Sequence, residues 1–60
     1  MKFIPNGTYC LFSNESAPRL FNCDDDEEAI GFANDLVEAG NTNVQLEVSE
    51  DSRWWPIKIS

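Results

Sequence analysis

The chain contains no histidine, only two cysteines, and only four lysine and arginine residues among its 60 positions. Without histidine it has no side chain that ordinarily exchanges a proton near neutral pH, and no catalytic motif stands out in the sequence. Two cysteines without histidine are too few for a zinc site, and also too few for a disulfide framework. We therefore expect a protein that is not an enzyme and that holds no metal or cofactor.

The chain has 11 Asp and Glu residues against these four basic residues, which gives a formal charge of -7. Direct binding to nucleic acid or to an anionic membrane needs Lys and Arg, so neither is an expected partner. No run approaches the ~20 apolar residues of a membrane-spanning helix. Residues 1–20 also lack the continuous apolar core of a secretion signal, so the expected location is the cytoplasm.

Hydrophobic residues make up 42% of the chain and include four Phe, two Trp and one Tyr, which is enough for a single small domain over residues 1–60. The patterns predict an α+β fold of order β-β-α-β-β, with one antiparallel sheet and a single amphipathic helix packed on one face. The predicted strands span residues 8–13, 19–23, 44–49 and 53–59, and the predicted helix spans 25–39. Residues 2–4 could add a short edge strand.

The helix has the clearest pattern. Asp24 is the expected N-cap with Glu27 as its capping-box partner, and Gly40 is the expected terminator. The apolar residues fill an arc of about 160°. The opposite arc carries acidic residues and no Lys or Arg.

The first two strands predict a hairpin in which Phe12 faces Phe21. In that register Cys10 faces Cys23 on the same side of the sheet. The two cysteines are then either buried reduced thiols or a cross-strand disulfide.

The five consecutive carboxylates of residues 24–28 permit two interpretations. They could form a solvated face that keeps the protein soluble, since acidic residues suit the first turn of a helix. They could also mimic nucleic acid, because carboxylates 3, 4 or 7 residues apart on one helical face lie about 5–10 Å apart, a spacing similar to that of successive phosphates. The candidate partner-binding residues are Asp25, Asp26, Glu28, Asp35 and Glu38, with Glu47, Glu50 and Asp51 as a second patch.

The pair Trp54-Trp55 is the other candidate feature. Neighbouring residues on a strand point to opposite faces, so both indoles cannot enter one core. Trp55 shares its parity with Ile57 and Ile59 and is predicted to be buried. Trp54 is then either an exposed anchor for a protein partner or packed on the N-terminal segment or Tyr9. Pro56 predicts that this strand lies at an edge of the sheet.

A very short, acidic, single-domain chain without a catalytic set resembles the small anti-defence inhibitors of bacteriophages, of the anti-CRISPR or anti-restriction kind. The resemblance covers size, charge and the acidic helix. It implies a DNA mimic, a monomer or weak dimer in the host bacterial cytoplasm, that binds the basic surface of a nuclease complex such as a CRISPR-Cas effector. The alternative is a protein-interaction or adaptor module that binds through Trp54 and the sheet edge.

Overall fold

A computed structural model of the chain describes residues 6–59. Within this range, four strands form one antiparallel sheet in the order β2-β1-β3-β4, and one helix lies between β2 and β3 along the chain. This confirms the predicted α+β fold and its β-β-α-β-β order. The predicted strand at residues 2–4 lies outside the described residues. The elements are β1 (Thr8–Phe12), β2 (Arg19–Asn22), α1 (Asp26–Glu38), β3 (Gln45–Glu50) and β4 (Arg53–Ile57).

The register of the first hairpin differs from the prediction. Tyr9 pairs with Phe21 and Cys10 pairs with Leu20, so Phe12 does not face Phe21 and Cys10 does not face Cys23. The run Tyr-Cys-Leu-Phe is apolar at every position, so it has no alternation from which a register could be deduced. Both cysteines are free, which excludes the cross-strand disulfide.

Helix α1 begins one residue later than predicted. Its N-cap is Asp25 rather than Asp24, and the Asp25 carboxylate accepts the Glu28 backbone N–H at 3.0 Å. Both residues are aspartates, so cap preference alone could not separate them. The predicted terminator is correct: Gly40 has φ +95°, and its N–H donates to the Val37 carbonyl while the Asn41 N–H donates to the Leu36 carbonyl. These are the two bonds of a Schellman motif.

The core is a small layer between α1 and the middle of the sheet. Ala29 and Ala33 are fully buried on the helix, and Tyr9, Leu11 and Leu46 meet them from β1 and β3. Because alanine is short, the helix can approach these two central strands closely. The helix covers the edge strand β4 less than it covers β1 and β3. Trp55, which was predicted to be buried, is 47% exposed, whereas Trp54 is 37% exposed.

One hydrogen bond ties the start of the helix to the sheet. The Tyr9 hydroxyl donates to the Asp26 carboxylate at 2.5 Å. That bond, burial of the ring and the negative charge of Asp26 together raise the pKa of Tyr9 to about 12. The phenol is stabilised in its protonated form only while the chain is folded.

We predict that folding stability declines at alkaline pH because of Tyr9. The folded pKa of about 12 lies above the ordinary value of 10.0, so this contribution is complete below pH 10 and is lost as the pH rises through 12. Tyr9→Phe should lower the free energy of unfolding by about 1–2 kcal/mol at neutral pH and should remove this part of the decline. Urea unfolding of the native protein and of Tyr9→Phe, from neutral to alkaline pH, measures this difference in the free energy of unfolding.

Tyr9 is the only tyrosine in the chain, so tyrosinate absorbance reports it alone. The two cysteines ionise in the native protein and in Tyr9→Phe alike, so their absorbance cancels when one titration is subtracted from the other. A Tyr9 that ionises near its ordinary pKa in the folded protein would contradict the account.

Candidate partner-binding surface

The structure distributes the predicted partner-binding residues over three surfaces. Pleating of β3 turns Glu47 to the face of the sheet opposite the helix, where it is half-buried beside Cys10 and Pro56 in the register. Trp54 lies on that same face, where its register partner Ser49 is buried. Glu50 ends β3 and Asp51 begins the turn to β4. The third group, called the acidic face, lies on α1 or immediately before it and comprises Asp25, Asp26, Glu28, Asp35 and Glu38 together with Asp24 and Glu27.

The seven residues of the acidic face are all exposed. Two of them also have a structural role, since Asp25 caps the helix and Asp26 accepts the Tyr9 hydroxyl. In the described part of the chain, the side chains of Glu28, Asp35 and Glu38 have no hydrogen bond, and no ion pair neutralises any member of the face. Their charge is therefore free to act on a partner.

The residues of the acidic face also differ in which end of the helix they occupy. Residues 24–28 lie at the N-terminal end, where the helix dipole favours negative charge. Asp35 and Glu38 lie at the other end, where the dipole opposes negative charge, and the last turn contains no basic residue. The dipole accounts for the first group and makes the second group unfavourable.

An open groove of about 670 Å³ lies between α1 and the edge strand β2. Tyr9 bonds Asp26 and Ser13 bonds Asn41, so α1 and β1 run in the same direction and β2 runs opposite to both. The Glu28 end of the groove is therefore next to Asn22, and the Asp35 end is next to Arg19. The apolar lining includes Phe21, Phe32 and Leu36.

The aromatic lining of this groove was missed by sequence reasoning. Phe32 belongs to the apolar arc of the helix that is predicted to pack on the sheet, but it is 45% exposed and packs edge-on against Phe21, with ring centroids 5.6 Å apart. The available signal was the width of the apolar arc, because a helix on a sheet buries the middle of such an arc and leaves its margins open. Val37, at the other margin, is 49% exposed.

The negative charge also affects a neighbouring thiol. Cys23 packs against the core beside the start of α1. Burial raises its pKa, and the charges of Glu28, Asp24 and Asp25 raise it further. Cys10 lies on the opposite face, where burial and Glu47 raise the pKa of its thiol. Neither environment activates a thiolate, because a reactive cysteine needs its pKa lowered.

The part of the chain that the structure describes adds no metal cluster and no membrane-crossing helix to these surfaces. Within residues 6–59, the side chains that could ligate a metal do not form a group of three or more. The same stretch has no helix with the length and apolarity that a membrane crossing requires. Comparison of the chain with protein-family models, with curated proteins and with solved structures gives no match.

We predict that Cys23 reports the charge on α1. In a Cys10→Ser background, Glu28→Gln should lower the pKa of Cys23, because a negative charge that disfavours the thiolate is removed. Alkylation rate against pH measures the shift. Glu27→Gln is the matched control, since Glu27 does not contribute to the raised pKa of Cys23. Equal alkylation profiles for the two variants would contradict the assigned geometry.

Proposed function

We propose that the protein is a non-enzymatic inhibitor that binds a nucleic-acid-binding protein or nuclease complex through the acidic face of α1. The face takes the place of a nucleic-acid strand on a basic surface of the target. A CRISPR-Cas effector or a restriction enzyme from the bacterial host fits this description. In either complex the inhibitor occupies the DNA-binding site and does no chemistry.

The observation that carries the proposal is the unfavourable placement of Asp35 and Glu38. Both lie at the helix end where the dipole opposes negative charge, the last turn holds no basic residue, and neither side chain forms an ion pair within the described residues. A face kept only for solubility could place its acids anywhere on the surface. A basic partner explains this placement, because Lys and Arg from the partner would neutralise the carboxylates and release counterions.

Rigidity supports the same function. The acidic face lies on a helix capped by Asp25, anchored by Tyr9 and closed by the Schellman motif at Gly40. Asn41 then bonds Ser13 and Ser16 of the β1–β2 loop. A helix held at both ends keeps the backbone positions of its acidic residues at fixed separations. Glu28 and Asp35 are seven residues apart, or about 10.5 Å along the axis.

We predict that neutralising the acidic face abolishes binding without harming the fold. The triple variant Glu28→Gln, Asp35→Asn, Glu38→Gln changes the net charge from -7 to -4 and should fold at least as stably, because it removes repulsion. The matched control Glu47→Gln, Glu50→Gln, Asp51→Asn reaches the same net charge away from the helix. Both are used with the native chain as bait in a bacterial lysate, followed by a salt gradient.

The native chain and the control should retain nucleic-acid-binding proteins that elute as ionic strength rises, and the helix variant should lose them. Each retained protein is then assayed for binding to a labelled DNA duplex, which the native chain should block. Retention of the same proteins by the helix variant, or elution that ignores salt, would contradict the proposal.

The exposure of both indoles on β4 favours a second function, an adaptor that binds a protein through Trp54 and the sheet edge. Trp54 and Trp55 are 37% and 47% exposed on opposite faces of this edge strand. Exposed tryptophans are frequent anchors in interfaces. The Trp55 indole is partly engaged, since its N–H donates to the Glu50 carbonyl at 3.2 Å. Trp54 is therefore the better anchor.

For the adaptor we predict that Trp54→Ala weakens partner binding by about 2 kcal/mol or more, the effect of losing a hot-spot aromatic. Calorimetric titration against the captured partner measures it. The helix triple variant should then bind normally, and salt should have little effect. Full binding by Trp54→Ala would leave the inhibitor as the better account.

A further inference from the structure

Strand β2 is an edge strand with no partner on its outer side among the described residues. Its residues, Arg19–Asn22, include no proline, so the outward backbone N–H and C=O groups can pair with another strand. The opposite edge of the sheet is less suitable. There, β4 contains Pro56, which has no N–H to donate.

The groove beside β2 would receive the side chains of an added strand. Phe21 rises from β2 on the helix side, and Phe32 faces it from α1 in edge-to-face contact. Leu36 continues the apolar surface toward the end of the helix. A strand added to β2 would direct every second side chain into this groove.

Charge determines what kind of segment fits. Glu28 and Asp35 line the helix side of the groove, and among the described lining residues Arg19 is the one that is basic, at the Asp35 end. Asp24 and Asp25 precede the helix at the Glu28 end. A second copy of this chain would bring another -7 to the same place, so self-association through β2 is disfavoured. A basic segment is complementary.

We propose that the groove between α1 and β2 binds an extended basic peptide segment of a partner protein as a fifth strand of the sheet. Backbone hydrogen bonds to β2 supply affinity, and alternate side chains supply specificity. One apolar side chain packs against Phe21 and Phe32. A Lys or Arg two residues to either side reaches Glu28 and Asp35.

The spacing of the groove matches this pattern. Glu28 and Asp35 are about 10.5 Å apart along the helix axis, with Phe32 between them. Residues four apart on a strand span about 13 Å and point to the same side, with one more such side chain midway. The partner segment therefore carries a basic, an apolar and a basic residue at alternate positions.

The peptide site uses Glu28 and Asp35 from the acidic face but does not depend on inhibition of a nucleic-acid-binding protein. It needs the apolar groove and the free backbone edge, which a mimic of a phosphate strand does not need. Experiments can therefore contradict the peptide site and the inhibitor function independently of each other.

The test uses a synthetic peptide, Thr-Lys-Thr-Leu-Thr-Lys-Thr with blocked ends, titrated into the ¹⁵N-labelled full chain. Amide resonances of residues 19–22 and of Phe32 should shift, and those of β4 should not. Glu28→Gln with Asp35→Asn should weaken binding by about fivefold, as expected for two exposed ion pairs. Glu27→Gln with Glu38→Gln makes the same charge change on the same helix outside the groove, and should weaken binding less than twofold.

Two further comparisons test the backbone and the apolar contact. A peptide N-methylated at its leucine and at both neighbouring threonines should not bind, because N–H groups on both edges of the peptide strand are then blocked and it cannot pair with β2. Phe32→Ala should weaken binding, whereas Val37→Ala, on the other margin of the helix, should not. Equal binding of the methylated peptide, equal effects of the two charge variants, or dimerisation of the free chain through β2 would overturn the proposal.

Discussion

Close approach of the helix to the two central strands is the constraint on which the structure depends. Ala29 and Ala33 have no accessible surface, and Tyr9, Leu11 and Leu46 fill the space beneath them. The Tyr9 hydroxyl then sets the start of the helix by its bond to Asp26. These five are all the buried hydrophobic residues in the described part of the chain, so the core of this small domain is centred on this contact.

A narrow contact of this kind leaves much of the molecule uncovered. The helix lies over the middle of the sheet, so its apolar margins at Phe32 and Val37 stay exposed, as do both tryptophans on β4. The outer face of the helix is acidic, and its charge is not neutralised within the described residues. The same packing that holds the fold together therefore produces three unpartnered features: an acidic face, an aromatic groove beside β2, and an edge strand with exposed indoles.

Sequence patterns were sufficient for the architecture but not for its details. The strand patterns, including the one over residues 44–49, together with the acidic helix start and Gly40, were enough to predict the element order. The hairpin register could not be predicted, because four consecutive apolar residues do not show which side chains face the core. The alternation of side chains along the strand did place Trp55 on the helix side of the sheet. It could not show that α1 lies over the central strands and does not cover β4. The groove depends on that same lateral position of the helix, which tertiary packing decides.

The central claim is that α1 carries negative charge that nothing within the described part of the protein neutralises. Urea unfolding at increasing NaCl concentration tests it most directly, since salt screens repulsion between exposed like charges. The free energy of unfolding should rise from about 0.01 M to about 1 M NaCl, where the Debye length falls from about 30 Å to about 3 Å. That rise should be smaller when Glu28, Asp35 and Glu38 are neutralised. A free energy that falls with salt would contradict the account, because it would mean that attractive ion pairs dominate the surface.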